Sequence, residues 1–229
     1  MLTFKIAYTA FVLLVVAIWW RHYSWRNFLW FSDIAFIGAV PALWLQSSAL
    51  ASVLAVAVLV PEILWNVDFV ARLTLRRRIT GLTDYMFEPE RPRLLRGLSL
   101  FHVPLPLVLL WMVREYGYDA RAGLAGAVVL AAVVLPWSRA VSTPERNINW
   151  THGFGARRSS LSPATYVTLL FLAFVAFVFV PTHALLQALQ FVLVGLTVGV
   201  LRDVDRADGA ELALAEAAEN VANSPDGER

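Results

Sequence analysis

LSLFHVPLPLVLLWMV, residues 98–113, is apolar enough to enter a bilayer, yet it carries His102 and two prolines, Pro104 and Pro106. Proline has no N–H, so Pro104 leaves the carbonyl of Leu100 without its helical donor, and Pro106 leaves that of His102. Freed carbonyls and an imidazole are stable in lipid only where protein or water satisfies them. An ionisable side chain within a membrane span also marks a candidate functional site. The stretch therefore predicts a proline-broken span with a polar pocket beside it.

The sequence on either side is built the same way. The chain has 229 residues, 59% of them hydrophobic, and its mean hydropathy is +0.62. Soluble domains show no such series of long apolar runs. Runs at 4–20, 28–45, 49–69, 98–113, 122–137, 164–180 and 184–201 predict an all-α fold, a polytopic transmembrane helix bundle of six or seven spans. That assigns residues 1–201 to the membrane and leaves 202–229 as an acidic, alanine-rich tail, in which Asp208 and Glu211 form a capping-box pattern. The first run reads as a retained helix, because no small-x-small cleavage pattern precedes Trp19, Trp20 and Arg21. Gly123 and Gly126 in the fifth run suit close helix packing.

Composition removes several functions. A net charge of +2 gives no nucleic-acid surface, and the absence of cysteine removes thiolate chemistry and cysteine metal sites. Lys5 is the one lysine, so a retinal Schiff base in a seventh helix is excluded. Asp33, Glu62, Asp68 and His102 are metal-ligand types, but no Glu-x-x-His or His-x-x-x-His spacing joins them. No metal and no cofactor are expected.

Arginines set the orientation. The links after spans one, three and five hold two, seven and four arginines, whereas those after spans two, four and six hold none, two and none. Seven spans then place the N-terminus outside and the tail in the cytoplasm, as in a multi-pass protein of the cell membrane. Ser32 and Asp33 begin span two, Glu62, Asn66 and Asp68 end span three, His102 begins span four, and Asn147 and Asn149 follow span five. All fall at cytoplasmic depth, where packing them against one another avoids the penalty of scattered charges in lipid.

These residues admit more than one chemistry. In a nucleophilic reading, His102 takes the proton of Ser32, with Asp33 or Asp68 orienting the imidazole, while Glu62, Asn66, Asn147 and Asn149 line the substrate. In a structural reading, His102 satisfies a proline-freed carbonyl and Ser32 joins helices. Asn147, Asn149 and His152 either extend the pocket or cap the fifth helix. A proton relay through the acids and His102 lacks the inverted repeat and paired broken helices of carriers. Arg76, Arg77 and Arg78 read as a topology signal compatible with anionic lipid. His22 and His183 are expected in solvated interfacial turns.

At Phe31, Ser32, Asp33 and Ile34, and again at 98–102, the chain resembles the androgen-induced-gene family of intramembrane fatty-ester hydrolases and its acyltransferase relatives. Those small multi-helix proteins pair a threonine or cysteine on one helix with a histidine two helices later. The resemblance implies Ser32 as nucleophile and His102 as base on a lipid acyl ester, with Thr83 and Thr151 as alternative hydroxyls and membrane lipids as partners. The rival class is a non-catalytic membrane protein, either a small-solute or proton carrier or an assembly partner.

Overall fold

Backbone groups in lipid must find partners within their own segment, so apolar runs of this length resolve as helices. The computed structural model describes residues 1–154 and 159–192, which hold helices and no strand. The helices are α1 (Leu2–Tyr23), α2 (Phe31–Leu45), α3 (Ser48–Leu75), α4 (Arg93–Leu98), α5 (Leu105–Tyr116), α6 (Ala120–Val141) and α7 (Pro163–Phe174). Five apolar stretches are long enough to cross a membrane: α1, α3, Arg93–Tyr116, α6 and Pro163–Val192. The 15-residue α2 is a shorter apolar helix. The protein is a membrane-type helical bundle, as expected from the hydropathy.

Its centre is α3, which packs against α2, α5 and α6. In α3 56% of the most apolar stretch is buried, against 22–44% in the other four. Local chemistry sets its ends. Gln46 adopts a left-handed conformation (φ 51°), and the Ser47 hydroxyl accepts from Leu50 N–H at 3.2 Å, capping the first turn. The helix runs six residues past the apolar stretch that ends at Phe69, because its last turns are held from outside. There Arg72 lies over the Phe87 ring at 4.6 Å and pairs with Asp84. Gly123 and Gly126 of α6 meet α3 at Ser52 and Val53; a Cβ on Gly126 would sit 2.3 Å from Val53 Cγ2. The close packing expected of these glycines is therefore present.

Three spans depart from their expected outlines. The fourth is divided into α4, a 3-10 turn at Ser99–His102, and α5, with Pro104 and Pro106 in the opening turn of α5, where missing N–H groups are harmless. The sixth and seventh runs are joined: the helix continues through Pro181, Thr182 and His183 as far as Val192. Proline at 181 removes a donor and crowds the carbonyl of Phe177. The helix answers with a wide π turn at Val175–Phe179, and Thr182 returns its hydroxyl to Val178 O at 2.6 Å. Residues 202–229, with Asp208 and Glu211, lie outside the described residues. Met1–Gln187 forms one compact unit.

Candidate functional site

The break in the fourth span creates the polar site. Pro106 leaves the carbonyl of His102 without its helical donor, and Asn66 of α3 supplies one, its Nδ2 donating to His102 O at 2.8 Å. The same amide donates to Glu62 O, also at 2.8 Å. Asn66 thereby holds the 3-10 turn against α3 at the level of Glu62. Freed from helical geometry, the His102 ring turns towards α3, where its Nδ1 lies 2.8 Å from Glu62 Oε2. Glu62 is buried, its side chain 3% exposed, and His102 is partly buried at 12%. Trp65 stacks on one side of the imidazole (4.6 Å, 18° between planes) and Phe101 also stacks on it (4.1 Å, 28°).

This arrangement fixes the tautomer. A carboxylate on Nδ1 holds the proton there and leaves Nε2 as the basic lone pair. Nε2 makes no hydrogen bond with any described residue. The unit is a carboxylate-oriented base, and the orienting group is Glu62, one of the residues expected to line substrate. The physical reason is register. Glu62 and Asn66 are four apart and share the α3 face that meets the broken turn, whereas Asp33 and Asp68 are held elsewhere.

Asp33 is 3% exposed and accepts from Asn27 Nδ2 at 2.9 Å. Ser32, beside it, makes no hydrogen bond among the described residues. It is one turn from Phe36, whose ring packs on Phe101 at 4.4 Å, next to His102. Tyr85, in the loop after α3, receives a hydrogen bond from Trp65 Nε1 at 3.2 Å. Burial holds its hydroxyl well above the ordinary tyrosine range, and Glu62 and Asp33 add to the shift. Tyr85, Trp65 and Asn27 had no assigned role in the sequence. The 81–87 stretch, with Tyr85 and Phe87, is more aromatic than a plain linker, but nothing in it points towards α3.

Asp68 has a different task. Its Oδ1 accepts from the N–H groups of Ile79, Thr80 and Gly81 at 2.9, 2.7 and 3.3 Å. Its Oδ2 accepts from Thr83 N–H and Thr83 Oγ1 at 3.1 and 2.6 Å. Both oxygens are spent folding the 79–83 loop onto α3, so Asp68 does not orient His102, and the Thr83 hydroxyl is committed as well.

Asn149 accepts from Phe31 N–H at 3.2 Å and donates to Leu29 O and Ser138 Oγ at 2.8 and 3.0 Å. It ties the start of α2 to the end of α6. Asn147 closes the following loop, donating to Gly153 O and accepting from His152 N–H. Thr151 donates to Ile148 O at 2.9 Å. Of the hydroxyls considered, Ser32 alone is uncommitted among the described residues.

His183 is not in a solvated turn. It is helical, and its Nδ1 lies 2.6 Å from the hydroxyl of Tyr118. Burial, helped by neighbouring Asp119, pushes Tyr118 up to about 12. His22 is exposed, as expected, but it too is helical, in the last turn of α1, where it is bonded to Ile18 O. No group of three or more histidine, aspartate or glutamate side chains among the described residues is arranged to hold a metal ion. No protein-family model, no curated protein and no solved structure matches the chain.

Proposed function

We propose that the protein is a membrane-embedded acyl hydrolase or acyltransferase acting on a lipid ester at the cytoplasmic leaflet. The observation that carries this reading is the 2.8 Å bond between Glu62 and His102 Nδ1, with Nε2 uncommitted. In the proposed reaction Ser32 Oγ attacks the ester carbonyl while Nε2 takes its proton. The proton then passes to the departing alcohol, leaving an acyl-serine. Water, or an acceptor alcohol in a transferase, repeats the sequence and releases Ser32. Glu62 stabilises the imidazolium formed in each half. The arginine-rich 72–96 segment supports the cytoplasmic assignment, and the resemblance at 31–34 and 98–102 supports the substrate class.

A fluorophosphonate probe on native membranes tests it. The wild-type chain labels, Ser32→Ala and His102→Ala do not, and Glu62→Gln labels about 100-fold more slowly, within the usual range for a lost acid–base contribution. Labelling indifferent to Ser32 and His102 removes the reading.

A second reading rests on Asp33 and Glu62 both being buried acids. Two such acids, one of them bonded to a histidine, also suit proton carriage. In that case Glu62→Gln abolishes proton flux into liposomes, while Ser32→Ala leaves it intact.

A further inference from the structure

The charges between α3 and α5 are unevenly matched. Arg72 and Arg78 share Asp84, and Arg91 pairs with Glu88 at 3.2 Å while its Nη1 donates to the Tyr23 hydroxyl. Arg96 has no acidic partner among the described residues. Its Nη1 donates to Met86 O at 3.2 Å, and its Nε is buried with no acceptor. Within this segment it is the half-buried guanidinium that lacks a counter-ion. Burying a cation without an anion is expensive.

Arg93 lies three residues earlier on α4, exposed and without an acidic partner among the described residues. The two guanidiniums share a face and repel each other unless an anion lies between them. The same stretch presents apolar side chains outwards: Leu94 is 60% exposed, Leu100 and Val103 are each 41%, and Leu107 is 67%. Side chains of this kind at the surface of a membrane bundle face acyl chains.

We propose that Arg96, assisted by Arg93, binds the phosphate of an anionic phospholipid, whose acyl chains lie along Leu100, Val103 and Leu107. The planar fork of arginine suits two phosphate oxygens through its terminal nitrogens, on a side chain that is half-buried beside an exposed Arg93. The site requires no turnover, so it stands or falls separately from the acyl-transfer reading.

The test uses the full chain, delipidated in neutral detergent, with binding read by native mass spectrometry. Phosphatidylglycerol is expected to add one molecule per chain more tightly than phosphatidylcholine. Affinity falls about tenfold in Arg96→Gln, as for one charge-assisted pair, and further in the double variant with Arg93→Gln. Arg96→Lys, which keeps the charge without the fork, recovers part of it. Inorganic phosphate and oleate are run as separate arms. Arg96-dependent binding of either one, with phosphatidylglycerol indifferent to Arg96, overturns the phospholipid assignment. Equal affinity for the two phospholipids overturns it too. If Arg96→Gln fails to fold, the wild-type melting temperature decides: a rise with phosphatidylglycerol over phosphatidylcholine supports the site, and no difference overturns it.

Discussion

Two carboxylates six residues apart on α3 serve opposite ends. Glu62 and Asp68 are 2% and 0% exposed, so burial does not separate them. Their hydrogen bonds do. Asp68 receives five, four of them from backbone N–H groups of one loop, and has nothing left with which to react. Glu62 receives one side-chain partner, an imidazole whose far nitrogen is uncommitted. A buried acid that is fully satisfied shapes the fold, whereas one that orients an unfinished partner prepares chemistry. In this bundle the difference between structure and function lies in what each group still has free.

The contrast fails most visibly if Asp68 proves dispensable. Asp68→Asn turns one acceptor into a donor, which strands Thr83 N–H at the least and opposes its hydroxyl, and every remaining bond to the side chain loses its charge assistance. At 1–3 kcal/mol for each unsatisfied group, the loss of stability is about 3–5 kcal/mol. Unfolding in detergent measures it, and a loss below about 1 kcal/mol would mean that the loop does not depend on this carboxylate. Asn149→Ala comes next. It removes three bonds between the ends of α2 and α6, which at the modest value of interhelical polar contacts in membranes amounts to about 2 kcal/mol. Thr83→Val removes one of the five bonds to Asp68 and is expected to lose about 1–1.5 kcal/mol, with Thr83→Ser near wild type.

How legible these roles were in the sequence follows from what each depends on. Hydropathy gave the spans, because lipid leaves the backbone little choice, and Pro104 with Pro106 located the broken turn. The need to satisfy the carbonyl of His102 was legible too, and Asn66 meets it. The choice among Asp33, Glu62 and Asp68 for the imidazole was not. It depends on how far α3 slides past the break, a packing outcome that spacing does not encode. The joined final helix misled for a similar reason: proline at 181 reads as a stop, but a π turn four residues upstream absorbs its strain. The Asp68 clamp involves residues 79–83, more than a helix turn away in sequence, and no local pattern announces an acid that receives a loop.

The sharpest form of the comparison is its smallest effect on stability. Glutamine at 62 keeps an oxygen that accepts from His102 Nδ1, so the geometry is preserved while the charge is lost. Removing a buried charge also removes its desolvation penalty, and neutral replacements of buried ionic groups are often tolerated. Glu62→Gln should therefore change unfolding free energy by less than about 1 kcal/mol, well under the loss expected for Asp68→Asn. Its effect on the imidazole is of a different kind. Without a carboxylate opposite Nδ1, the imidazolium formed when Nε2 takes the serine proton is no longer stabilised, and probe labelling slows while the fold stands. Measuring both variants by both readouts separates the two carboxylates. Asp68→Asn should lose labelling only in proportion to folded protein, and Glu62→Gln should lose it in protein that remains folded. If Glu62→Gln instead unfolds the bundle as Asp68→Asn does, Glu62 is a second structural clamp, and His102 is there to satisfy it.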